Sequence, residues 1–88
     1  MASSSRYSVY LQPAVLRTLR ELPLDLARRV DALLLRLEAT PRPPGAKKLA
    51  VREGWRLRIG DHRILYTIDD RARTVAVYRL GRRRDVYR

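Results

Sequence analysis

Trp55-Arg56-Leu57-Arg58-Ile59-Gly60-Asp61-His62-Arg63-Ile64-Leu65-Tyr66-Thr67-Ile68 alternates apolar and polar side chains and is interrupted at Gly60-Asp61. Successive side chains on a strand point to opposite faces, so Trp55, Leu57 and Ile59 share one face and Arg56 and Arg58 the other. The Gly-Asp pair reads as a tight turn, with a second strand from Arg63 to Ile68. Asp69 to Arg73 supplies a second turn and Thr74 to Leu80 a third strand, which makes an antiparallel meander. Arg56 and Arg58 lie roughly 6.6–7 Å apart along the strand, a spacing comparable to that of phosphates along single-stranded nucleic acid. Arg63, just across the turn, joins them if the register allows. The same alternation puts His62 on the face opposite Arg63. Trp55 and Tyr66 are read as core.

Toward the N-terminus the period changes. Thr40-Pro41-Arg42-Pro43-Pro44-Gly45 is a stiff connector, because its prolines fix φ and remove backbone donors. Before it, Leu26, Val30, Leu33, Leu34 and Leu37 form one apolar stripe of a helix over Leu24–Ala39. Val15, Leu16, Leu19 and Leu22 do the same for a helix over Pro13–Leu22; Pro13 suits its first turn, and Pro23 ends it. Tyr7 to Gln12 reads as a short strand. The expected order is β-α-α-β-β-β, an α+β fold with a helix pair on one face of a twisted, mainly antiparallel sheet. At 88 residues the chain is expected to be a single domain, with residues 1–6 flexible outside it.

Composition narrows the chemistry. Twenty Lys and Arg against nine Asp and Glu give a net charge of +11. Residues 1–45 hold seven basic and four acidic groups, and residues 46–88 hold thirteen and five. Of the basic residues, Lys47 and Lys48 alone are lysine. Arginine binds phosphate bidentately and stacks on bases, so an arginine-rich half points to a nucleic-acid partner. With no Cys and one His, the chain lacks the makings of a transition-metal cluster, a thiolate nucleophile or a disulfide, and no metal or cofactor is expected. The four glycines are scattered, so no phosphate-cradling loop is present. The N-terminus has no apolar h-region, and no apolar run reaches the roughly 20 residues of a membrane span. A soluble, cytoplasmic protein is expected.

The ending, Arg82-Arg83-Arg84-Asp85-Val86-Tyr87-Arg88, sets an aromatic among charges. Tyr87 either stacks on a base or docks against the sheet edge. Lys47-Lys48, beside the proline segment, either contact phosphate or are simply solvated. Asp69-Asp70 is turn chemistry.

Three stretches together resemble the RelE/ParE toxin superfamily: Gly54 to Gly60, Asp61 to Asp70, and Leu80 to Arg88. The likeness extends over most of the chain, including the strand-helix-helix opening. The Gly-x-Arg…Val-Tyr-Arg ending is more typical of the RelE branch than of the ParE branch. The resemblance implies a ribosome-dependent endonuclease that cuts messenger RNA in the decoding site and is neutralised by a co-expressed antitoxin. It aligns Arg56 and Arg58 with basic RNA-facing residues, Arg63 with a transition-state arginine, Arg83 with a second catalytic arginine and Tyr87 with a terminal aromatic. Arg82 and Arg84 are register alternatives to Arg83, and Lys47 or Lys48 fits a further RNA-contacting lysine.

RNA can be cut by its own 2′-hydroxyl, so the protein need supply only a base, an acid and cations for the phosphorane. Arginine is an unsuitable base, since its pKa lies above about 12. Where some superfamily members carry lysine on this strand, the chain has Arg56 and Arg58, and arginine is hardly driven to neutrality. Tyr87 is the first candidate base, with a lysine or His62 as alternatives. The shared fold also admits a ParE-like DNA gyrase inhibitor, or a nucleic-acid-binding relative without catalysis. In each case the charge invites an acidic, partly helical antitoxin segment on the basic face.

Overall fold

The computed structural model describes residues 6–82. Its elements are β1 (Ser8–Leu11), α1 (Pro13–Glu21), α2 (Leu24–Ala39), β2 (Lys47–Lys48), β3 (Trp55–Ile59), β4 (His62–Asp69) and β5 (Thr74–Arg82). The five strands form one sheet in the order β1-β5-β4-β3-β2. β1 runs parallel to β5, while the other pairs are antiparallel. The fold is therefore α+β, as the change of period predicts. β1 and β2 occupy opposite edges, so the chain crosses the full width of the sheet through both helices and the proline connector before the meander returns.

Pro13 opens α1, where a missing N–H costs nothing. Pro23 stands at the N-cap of α2, and Asp25 in the first turn complements the helix dipole. The predicted stripe lies against the sheet: Val30 and Leu37 are buried, and Leu26, Leu33 and Leu34 pack around them. Val15 of α1 joins the same core, with Leu57, Ile59, Ile64, Tyr66, Val75, Val77 and Leu80 from the sheet. Both helices thus cover one face. Tyr66 is fully buried, and its phenol donates to Pro41 O at 2.9 Å, which ties the connector to β4. Trp55 packs at the core's edge.

Two expectations about the strands are corrected. Lys47-Lys48 form a short strand, β2, paired with β3 through Lys47↔Arg56 and Lys48↔Trp55. A two-residue lysine strand has no alternation to reveal it, and its pairing is made by residues further along the chain. β5 also runs past Leu80, the expected end, through Gly81 and Arg82, because both find partners on β4.

A bulge lies inside the β4–β5 ladder. Leu65 pairs with Arg79 and Tyr66 with Val77, which leaves Tyr78 as the extra residue. The bulge changes the parity of β5, so Val75, Val77 and Leu80 all reach the core although three residues separate the last two.

Two glycines are required by geometry. Gly60 sits at the first position of the Gly60-Asp61 hairpin with φ +58, where an L side chain is strained. Gly54 has φ +133, and a Cβ there would lie 3.0 Å from Tyr66 O and 3.3 Å from the Tyr78 hydroxyl. Gly54→Ala is expected to destabilise the fold by more than about 1 kcal/mol, since strain and a backbone clash add. Chemical denaturation should show this as a lower midpoint with an unchanged slope.

Candidate nucleic-acid interface

The face of the sheet away from the helices carries a cationic cluster. Alternation directs Arg56 and Arg58 to that face, while Leu57 and Ile59 point to the core. The two-residue turn then fixes the register so that Arg58 stands directly opposite Arg63. One row thus reads Arg58–Arg63–Gly81, and the next reads Lys47–Arg56–Leu65–Arg79. Gly45, Lys47, Arg56, Arg58 and Arg63 line a cavity of about 210 Å³. Arg58 donates through Nε to Gly60 O at 3.1 Å. That bond orients the guanidinium and leaves its terminal nitrogens available.

Like charges directly opposite each other on a sheet destabilise it by a few tenths of a kcal/mol or more. Among the described residues, no carboxylate forms a salt bridge with Lys47, Arg58 or Arg63. A bound polyanion would relieve this local conflict. Among the described residues there is also no group of His, Cys, Asp or Glu that could hold a metal. No helix among them is long and apolar enough to cross a membrane.

Of the residues singled out in the sequence, the structure brings together Lys47, Arg56, Arg58 and Arg63. Lys48 pairs with Trp55 and therefore shares the parity of the core-facing row. Arg82 pairs with His62, which itself pairs with Ile59, so both belong to the helix-side face and not to the cationic one. Arg83, Arg84 and Tyr87 lie outside the described residues. Arg79, opposite Leu65 and exposed, is a member of the cluster that the alternation alone did not single out. The signal for it was the Val77-to-Leu80 spacing, which requires the bulge and turns Arg79 outward.

The model of a protein family described as "ParE toxin of type II toxin-antitoxin system, parDE" matches residues 9–87. The chain belongs to this ParE toxin family. It is therefore a toxin of a type II toxin–antitoxin system. Among solved structures, it is similar to a chain of the toxin–antitoxin complex RelBE2 from Mycobacterium tuberculosis, with 30% identity, a TM-score of 0.75, and 89% of this chain and 99% of that one covered. That likeness puts the toxin on the RelE-like branch of the RelE/ParE superfamily. The fold is also shared with a chain of the archaeal RelE–RelB complex from Pyrococcus horikoshii, at 24% identity and TM-score 0.78, covering 89% of this chain and 96% of that one. A mutant of the E. coli toxin RelE in its free state matches at 19% identity and TM-score 0.78, covering 93% of this chain and 90% of that one. No curated protein matches the chain significantly.

In this ParE-family toxin a second group of side chains ties the proline connector to the sheet. Arg42, in the proline connector, grips Asp70 with both terminal nitrogens, Nη2 to Oδ2 at 2.8 Å and Nη1 to Oδ1 at 3.2 Å. The Tyr7 hydroxyl donates to Asp70 Oδ1 at 2.6 Å, and the Arg42 guanidinium lies 5.3 Å from the centre of the Trp55 ring. Asp70 thus does more than turn chemistry; Asp69 does that, accepting from the N–H groups of Arg71 and Ala72. By fixing the connector, the group positions Gly45 and Lys47 beside Arg56.

Arg42 first, and then Tyr7, hold the Asp70 carboxyl down at about 2. A depressed carboxylate contributes stability above its unfolded pKa of about 3.9 and loses it as pH falls toward the folded value. The toxin should accordingly lose stability between about pH 4 and pH 2. Asp70→Asn should flatten that part of the curve in acid-unfolding measurements. Burial pushes the Tyr66 phenol the other way, up to about 12. Its contribution is complete below about pH 10 and is lost as pH rises toward 12.

Proposed function

We propose that this toxin is a ribosome-dependent, metal-independent endoribonuclease that cuts messenger RNA and blocks translation in the cytoplasm. The observation that carries the reading is the direct Arg58↔Arg63 pairing beside Lys47 and Arg56, four cations around one cavity of about 210 Å³. In the reaction, the RNA 2′-oxygen attacks the adjacent phosphorus, the bond to the 5′-oxygen breaks, the departing 5′-oxygen takes a proton from water, and a 2′,3′-cyclic phosphate forms. Lys47, Arg56 and Arg58 hold the flanking phosphates, Arg79 extends the track, and Arg63 stabilises the charge of the phosphorane.

Arg83 and Tyr87 enter this proposal through the resemblance, Arg83 as a second stabilising cation and Tyr87 as the base that accepts the 2′-hydroxyl proton. His62 is set aside as a base, because its register places it on the other face from Arg63. Arg84 remains an alternative to Arg83. Arg82, which shares the helix-side parity, is proposed to contact RNA only at the margin of the sheet, and Lys48, which lines a cavity together with Arg56, to contact it there.

The proposal extends to a partner. The cationic face suits an acidic, partly helical antitoxin segment, and the archaeal and mycobacterial structures similar to this chain are toxin–antitoxin complexes. Inducing the toxin should halt translation and leave cuts within translated messages, mapped by sequencing 5′ ends of ribosome-bound mRNA. Intact messages on arrested ribosomes would refute the reading. The ParE description of the matching family favours a second reading, inhibition of DNA gyrase. It is distinguished by an SOS response with messages left whole.

A further inference from the structure

Leu65 is out of place. It stands on the cationic face, opposite Arg56 and Arg79, yet it is 1% exposed. The segment 48–52 folds over it from the end of β2, closed by a bond from Leu49 N to Gly54 O at 3.0 Å. Between that segment and the sheet lies a cavity of about 310 Å³, lined by residues 48–52 with Arg56 and Leu65. Its floor and walls are Leu65, Leu49, Ala50 and Val51, and Val51 at the rim is 97% exposed. The cations that border it include Arg52, whose guanidinium lies 5.9 Å from the centre of the Tyr78 ring. Tyr78 is the bulge residue, so the bulge supplies the surface on which Arg52 rests.

This apolar cavity adjoins the cationic one, because Arg56 lines both. We propose that it is a nucleobase subsite: it takes the base of the nucleotide whose phosphate rests on the arginine rows, with Arg52 as the stacking residue. The inference rests on the RNA-cutting reading and adds to it a preference for one class of base beside the cut. One sugar ring separates a base from its phosphate, a reach of the same order as the ~6.6–7 Å between alternate residues of a strand. Guanidinium planes stack on bases, and Tyr78 beneath Arg52 holds that plane ready on its other side. An apolar floor bordered by cations suits a flat ring attached to an anion.

The test is the cut-site profile on ribosome-bound mRNA for the wild type, Arg52→Ala, Ala50→Leu and Val51→Ser. Val51 is so exposed that its replacement leaves the core intact, and thermal melts check the folding of the other two. The wild type is expected to favour one class of base at a nucleotide flanking the cut. Arg52→Ala and Ala50→Leu should reduce that bias about tenfold, the loss of one base stack. A wild type that makes no cuts overturns the RNA-cutting reading itself. Cuts without base bias, or a bias unchanged in all three variants, overturn the subsite. So does an unchanged bias accompanied by loosened antitoxin binding, which would make the cavity a protein-docking pocket.

Discussion

Arg63→Ala is expected to lower messenger cleavage by roughly 10²–10³-fold, the usual cost of removing one preorganised donor to a developing oxyanion. Arg63 is singled out among the four clustered cations by position. It stands between Arg58 on one neighbouring strand and Gly81 on the other, so it alone of the four is flanked on β5 by a residue without a side chain. Substrate can approach it from that side. Primer extension on ribosome-bound mRNA with purified toxin would measure the loss. Arg63→Lys keeps the charge but forfeits the two-pronged grip on phosphate, and should recover only part of the rate. The fold should survive, because removing Arg63 relieves a like-charge pair with Arg58. Full cleavage by Arg63→Ala would remove that residue from the site.

Leu37→Ala is expected to be strongly destabilising. Leu37 is fully buried on the last turn of α2 and belongs to the core cluster that joins both helices to the sheet. Truncating such a residue costs about 2–5 kcal/mol, from lost burial and the cavity left behind. Domains of this size have roughly 5–15 kcal/mol in total, so a large part of the folded population is at stake. Denaturant titration followed by Tyr and Trp fluorescence should show a lower midpoint. Leu35→Ala on the same helix, where Leu35 is 64% exposed, should leave the midpoint nearly unchanged. A mild Leu37→Ala would mean that the neighbours collapse to fill the space.

The features legible in the sequence were those set by short-range rules. The face shared by Arg56 and Arg58 follows from strand alternation, and a two-residue turn limits the register choices that bring Arg63 opposite Arg58. The stripe on α2 was equally plain, because five apolar residues at helical spacing admit one packed face. What escaped the reading depends on residues far apart in sequence. β2 exists because Lys47 and Lys48 find β3, not because of any strand propensity of their own. The grip of Arg42 on Asp70 spans 28 positions, and neither residue has a neighbour that announces the other. Arg79 hinges on the Tyr78 bulge, which shifts parity within a strand that otherwise reads as regular, and Leu65 is buried under residues 48–52, far from it in sequence. The parity of Arg82 could have been taken from Leu80, two residues before it and buried.

The parallel pairing of β1 with β5 has a consequence for the timing of folding. Residues 8–11 have residues 74–77 as their strand partners, so the sheet cannot close until β5 has been made. Before then the hairpin of β3 and β4, which carries Arg58 and Arg63, has only the two-residue β2 beside it, and so small a sheet is marginal in water. A nascent chain still attached to the ribosome that makes it can form helices while lacking an assembled arginine face. The sheet that carries the arginine face is thus complete only after the strand that holds its first and fourth strands together has been made.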